Sequence, residues 1–233
     1  MTETGMHIKN NIKVIIYGFV FMLLIVEKED LRCESSEIVK LPEPRYTSGV
    51  SIEQALLERR SVRVYKDGPV SLEDISQLLW ACQGITDTRG YRTTPSAGAL
   101  YPLEIYLYAA NITALKPGIY KYNPQGHALM KITQGDNRAA ISEAADNQDC
   151  IKNAAAVIII CAVYKRTTKK FGEKGVRYAH MEAGCAAQNI YLQSVSLGLG
   201  TVVVGGYNPG KLKKAVQLKG NEQPLYLMPV GRR

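Results

Sequence analysis

RYAHMEAGCAAQNIYLQSVSLGLGTVVVGGY, residues 177–207, joins the longest predicted helix to a glycine-bounded strand. The helix is expected over residues 176–197, with small residues at Ala179, Ala183, Gly184, Ala186 and Ala187 that let another helix approach closely. Such a helix spans about 33 Å, enough to cross a domain or a subunit interface. After it, GLGTVVVGGY predicts a strand at 201–204. Gly198, Gly200, Gly205 and Gly206 do not spell GxGxxG after a strand, which disfavours a Rossmann dinucleotide site.

Upstream, AAAVIIICAVY (154–164) is a continuous apolar run, the pattern of a central strand covered on both faces. Residues 137–147 predict a helix, and GIYKYNPQGHALMKI a hairpin that turns at Asn123, Pro124 and Gly126. Residues 104–110 alternate and are rich in Tyr and Ile, as a strand requires. SLEDISQLLWACQGI starts a helix at Ser71, places Leu72, Ile75, Leu78, Leu79 and Cys82 on one face, and ends at Gly84. Ser51 and Gln54 form a capping box for a helix in SIEQALLERR. LYLMPVG (225–231) is the last strand. Helices come first, then mostly strands separated by single helices. This is an α+β or α/β chain, not a clean run of βαβ units.

The 233 residues allow one sizeable domain. A net charge of +8 points to anionic partners. Nucleic acid is disfavoured, because the basic residues are dispersed among only three Phe and one Trp. No cysteine lies in a metal-type spacing, and Cys82, Cys161 and Cys185 sit in apolar or small-residue contexts expected to bury free thiols. His7, Lys9 and Lys13 precede the apolar run 14–26, so residues 1–34 resemble a secretory signal or signal-anchor. Basic residues on its N-terminal side would place the following domain outside the cytoplasm, exported or membrane-anchored through 14–26. A cytoplasmic location follows instead if translation begins at Met22. Residues 35–50 are expected as a linker and 51–233 as the domain.

The three histidines, His7, His127 and His180, accompany no GxSxG, HExxH or paired metal-ligand set. Hydrolase and metalloenzyme chemistry therefore have little support, and a borrowed cofactor is the better fit. In RRSVR, Arg59 and Arg63 are four apart and would share one side of a helical turn. Guanidinium forks bind phosphate bidentately, and Ser61 adds a hydroxyl. Equally, arginines at a helix C-terminus complement its dipole. The small residues of PSAGALYP (95–102) would let a flat ligand approach the backbone, as would Gly205 and Gly206. An ordinary loop accounts for each segment alone.

Taken in order, RRSVR, LLWACQGIT, PSAGALYPLEIY, the block quoted first and the final PVG resemble the nitroreductase superfamily of FMN proteins over about residues 50–231. The PSAGALYP segment is most similar to the SagB-type branch, which includes azoline dehydrogenases. The resemblance implies an α+β fold, a mostly antiparallel sheet flanked by helices, and a homodimer with the long helix at its interface. It implies FMN held at the phosphate and ribityl end by Arg59, Arg60, Ser61 and Arg63. Pro95, Ser96, Ala97 and Gly98 would pack against the isoalloxazine from the partner subunit. Val203, Val204, Gly205 and Gly206 would lie along flavin N5 and the pyrimidine edge. Arg232 and Arg233 are candidates to reach the phosphate.

The resemblance further implies hydride transfer through the flavin from NADPH or NADH to a nitroaromatic or quinone-type acceptor, with no catalytic side chain required. One departure matters. Azoline dehydrogenases carry a Lys–Tyr pair before the long helix, where this chain has Lys170–Phe171, and phenylalanine cannot exchange a proton. Tyr178 is nearby in sequence. Lys170 and Tyr178 are thus the only candidate catalytic side chains. The alternatives are a SagB-type peptide azoline dehydrogenase and a non-catalytic flavin-binding module.

Overall fold

The computed structural model describes residues 37–233. The expected signal or anchor segment lies outside the described residues, and among these no helix is long and apolar enough to cross a membrane. Seven strands form one sheet: β1 (Ile38–Lys40), β2 (Leu103–Ala109), β3 (Gly118–Asn123), β4 (Ala128–Gln134), β5 (Ala156–Ala162), β6 (Leu199–Thr201) and β7 (Gln223–Arg232). Their order is β1-β4-β3-β2-β5-β7-β6, and every pairing is antiparallel. The helices are α1 (Ile52–Glu58), α2 (Leu72–Gln83), α3 (Arg138–Ala144), α4 (Asp149–Lys152), α5 (Lys165–Phe171), α6 (Lys174–Ser196) and α7 (Pro209–Val216).

The apolar run of β5 has the expected cause. Ile158 and Ile160 turn to one face with Ile105 and Leu107 of β2, against α2 and α6. Val157, Ile159 and Cys161 turn to the other with Tyr106 and Tyr108, against α3 and α7. Both faces are apolar because both are covered, each buried side chain contributing roughly 1.5–3 kcal/mol of transfer free energy. Ser71 caps α2 by accepting the Asp74 N–H at 3.0 Å, Gly84 ends it, and Ile75, Leu78, Leu79 and Cys82 are fully buried. The alanines of α6, Ala179, Ala183, Ala186 and Ala187, pack into that same core. The close approach they permit is to α2 and the sheet of this chain. Gly184 has open space beside it and Cys185 is exposed, so the expectation of a buried Cys185 is corrected.

Three other expectations change. Part of the 35–50 linker is strand: β1 pairs with β4, Leu41 is buried, and His127 Nε2 lies 3.0 Å from the Pro42 carbonyl. A three-residue edge strand is too short to show alternation. The strand placed at 201–204 is split, with β6 ending at Thr201 and Val204 bridging Leu227 separately. Finally, α4, α5 and α7 were not anticipated; α4 is a single turn, and in α5 only Thr167 is buried and no apolar period marks it.

Gly231 on β7 lets Tyr65 lie against the strand: a Cβ there would sit 2.4 Å from Tyr65 Cγ. Gly231→Ala is expected to cost about 1–3 kcal/mol through overpacking. Urea unfolding of the variant checks this, and an unchanged midpoint would mean the ring moves freely.

Candidate functional site

The helix that carries RRSVR ends before it. Ser51 caps α1 through the Gln54 N–H at 3.1 Å, and α1 stops at Glu58. Arg59 leaves it with φ −55° and ψ 121°. Arg59 and Arg63 therefore do not share a helical turn, and this expectation is corrected. The chain instead runs beside the sheet edge, the Val62 N–H donating to the Thr201 carbonyl at 2.9 Å and the Lys66 N–H to the Arg232 carbonyl at 2.9 Å.

The hub of the site is Tyr191 on α6. The Arg59 guanidinium lies 5.1 Å from its ring centroid, a cation–π contact. Its hydroxyl shares a 3.0 Å hydrogen bond with Ser61 Oγ and accepts the Val203 N–H at 2.8 Å. Two expected site segments thus meet on one phenol. Arg60 does something else: its Nη1 donates to the carbonyls of Leu57 (2.9 Å) and Arg59 (2.8 Å), so it satisfies the C-terminal end of α1. Arg63 lines a cavity of about 520 Å³ with Tyr65, Lys66, Gly68 and Arg138. Arg232 packs over Gly68 at this cavity, while Arg233 is exposed at the chain end.

Past Val203, the backbone is partly committed. Val204 exchanges both hydrogen bonds with Leu227, at 2.8 and 3.0 Å, and is buried, so it offers no backbone group to a ligand. Gly206 O accepts from Gln148 Nε2 at 3.0 Å, whereas Gly205 borders open space.

Pro95–Gly98 lies elsewhere along α6. Ser96 Oγ accepts the Tyr101 N–H at 2.9 Å, and Ala97–Ala99 makes a short 3-10 turn. Gly98 has φ 62°, and a Cβ there would meet Lys170 Nζ at 3.0 Å and Phe171 Cζ at 3.3 Å. Phe171 in turn packs edge-on against Tyr178, ring centroids 5.2 Å apart. The structure thus gathers Gly98, Lys170, Phe171 and Tyr178. Tyr178 and Tyr191, thirteen residues apart on one helix, are separated by about 20 Å. Within one chain the two expected halves of the site therefore meet different parts of α6.

Sequence reasoning missed Tyr191 and Glu182. Tyr191 is the sole Tyr, Phe or Trp between Tyr178 and Tyr207. Glu182 is the sole Asp, Glu, Lys or Arg between Arg177 and Lys211, which was a visible signal of a special position. It is buried at 3 % exposure. Burial pushes its carboxyl up to about 7, against the opposing pull of Ser96, Arg92, Gln83 and Arg166.

The residues present fit a phosphorylated flavin. Among the described residues Arg59, Arg60 and Arg63 have no carboxylate within ion-pair distance. Positive charge without a carboxylate partner, a hydroxyl pair and an open glycine edge suit an anionic, planar group. Tyr191→Phe is expected to leave the Val203 N–H without its acceptor and to cost about 1–2 kcal/mol. Denaturant unfolding measures it, and a neutral result would mean solvent replaces the hydroxyl.

Fold and site together define an α+β protein with an antiparallel sheet and an arginine cluster beside a glycine-bordered strand end. The chain belongs to the nitroreductase family, which matches over residues 56–232. A nitroreductase-family protein of Methanocaldococcus jannaschii is 45% identical over 184 residues, covering 79% of this chain and 92% of that one. The microcin B17-processing protein McbC of Escherichia coli is 27% identical over 155 residues, 64% of this chain and 57% of McbC. A solved nitroreductase-family structure from Ralstonia eutropha superposes with a TM-score of 0.74 at 30% identity, covering 85% of this chain and 90% of that one. Relatives named as flavin reductases match as well.

Proposed function

We propose that this protein is an FMN-dependent oxidoreductase that reduces a small electron-poor acceptor, of nitroaromatic or quinone type, at the expense of NADPH or NADH. The observation that carries this is the convergence of Arg59, Ser61 and Val203 on Tyr191. Bound FMN would supply a centre that accepts and donates hydride. The chain's own part is binding and orientation. Arg59, Ser61 and Arg63 would hold the phosphate and ribityl oxygens, with Arg232 and Arg233 as further cations. Gly205 would give the ring edge close approach, and Pro95–Gly98 of a second copy would cover the ring. The homodimer is part of the same proposal: Ile52, Leu56 and Leu57 on α1 are large, apolar and exposed, and a second copy would cover them.

The test is the visible spectrum of the purified full chain, recorded anaerobically before and after NADPH or NADH. Flavin absorbance that bleaches supports the proposal. No flavin, even after reconstitution with FMN, overturns it and favours a module without catalysis. Arg59→Leu is expected to weaken FMN retention about 10–100-fold, the worth of one charge-assisted contact. Equilibrium dialysis measures this, and unchanged retention would remove Arg59 from the site.

A second reading is a SagB-type dehydrogenase that oxidises its substrate. The similarity to McbC favours it, and so does the placement of Lys170 against Gly98. Its mark would be bound flavin that nicotinamide does not bleach.

A further inference from the structure

Glu182 is buried, and neither of its carboxyl oxygens has a hydrogen-bond partner. An unpaired buried carboxyl is costly and calls for a reason. Its surroundings are polar. From the loop after α2 come Arg92 and Ser96, from α2 itself Gln83 and the Cys82 thiol, and from α5 Arg166, which is held by Glu104 of β2. On α6, Tyr178 stands one turn before it. Two of the facing donors, Gln83 Nε2 and Arg92 Nε, are themselves buried and unpartnered. Gln83 and Arg92 are already joined to each other, Arg92 Nη1 donating to Gln83 Oε1 at 2.8 Å. Ser96 uses its oxygen to accept the Tyr101 N–H, which leaves its own O–H to donate.

Three donors therefore stand around two acceptor oxygens. An ionised carboxylate can accept from all three, whereas a protonated one gives up an acceptor position to its own O–H. The loop that brings Ser96 is also poised. Gly98, Ala99 and Tyr101 have φ of 62°, 53° and 44°, so two non-glycine residues sit in the left-handed region within four positions. Such conformations cost free energy and persist where contacts hold them.

We propose that Glu182 is a positioning residue for the Pro95–Tyr101 loop: ionised, it draws Ser96, Gln83 and Arg92 onto its two oxygens and seats the loop on α6, so that a ligand bound by the seated loop displaces a proton to solvent. The identity of that ligand as FMN rests on the proposed function. The seating of the loop does not.

Two measurements on the full chain separate the two ideas. Hydrogen exchange of the flavin-free protein, corrected for intrinsic rates, is compared at pH 6 and pH 8. Protection of the 94–101 amides should rise with pH in the wild type and stay level in Glu182→Gln. FMN titration by fluorescence quenching should show Kd tightening over the same interval by about tenfold more than in Glu182→Gln, one pKa unit of linkage, the change left in the variant reporting the second ionisation of the FMN phosphate itself. Ser96→Ala, which keeps the carboxyl and removes one donor, should retain part of the change. Loop protection that does not respond to pH in the wild type, or that responds equally in Glu182→Gln, overturns the proposal. A pH-responsive loop in a protein that binds no FMN supports the seating and overturns only the flavin assignment.

Discussion

Replacing Lys121 by methionine is expected to destabilise the fold by about 3–5 kcal/mol at neutral pH. Lys121 Nζ sits between two carboxylates, 2.6 Å from Glu222 Oε1 and 2.7 Å from Glu104 Oε2. The Glu222 side chain is 2% exposed. Burial alone would raise its pKa, but hydrogen bonds from Lys121, from Tyr106 at 2.7 Å and from the Lys219 N–H at 2.9 Å hold it below the usual range. Methionine preserves the aliphatic stem and leaves a buried charge without its cation. The sign of the pH dependence follows. In the wild type the depressed pKa of Glu222 stabilises the fold above about pH 4.5 and is lost on acidification through the lower folded value. In the variant Glu222 would bind its proton more readily, so part of the lost stability should return between pH 7 and pH 5. Lys121→Met/Glu222→Gln should recover part of it at neutral pH. Urea unfolding at both pH values decides this, and a cost under 1 kcal/mol would mean that the network is hydrated.

The second large effect has the opposite sign. Glu182 is raised from 4.5 to about 7 by burial, so the folded state holds its proton more tightly than the unfolded state. The stability this supplies is fully present below about pH 4.5 and disappears as pH rises through about 7. The interval corresponds to about 3 kcal/mol. Glu182→Gln has no such titration. Its stability relative to the wild type should therefore improve by about 3 kcal/mol between pH 4.5 and pH 8, whatever the fixed cost of the substitution. Unfolding curves that stay parallel across that range would show that Glu182 titrates normally.

Much of the scaffold was legible in the chain because the signals were local. Ser71 and Gly84 bound α2 through cap chemistry, and its 3.6-residue apolar period names its buried face. The apolar run 154–164 predicted a central strand, and the core on both faces of β5 is the reason. The arginine motif was legible as a group but not as an arrangement. Arg60 turned back to the carbonyls of α1, while Arg63 lines a cavity with Tyr65 and Lys66, because the helix ended at Glu58 and the chain left it extended.

The resemblance of the motifs supplied the family and the antiparallel sheet, whereas the residues themselves determined most of the helices and strands and the residue types from which a phosphate-binding site can be built. These depend on spacing, caps and apolar period, which act over a few residues. Only the tertiary structure decided that Tyr191 joins Ser61 to Val203, that Lys121 lies between Glu104 and Glu222, and that Glu182 stands among unpaired donors. Ser61 and Tyr191 lie 130 positions apart, as do Lys121 and Glu222 by 101. Contacts over such separations are set by how the sheet and α6 pack, and local sequence carries no record of which distant side chain they will meet.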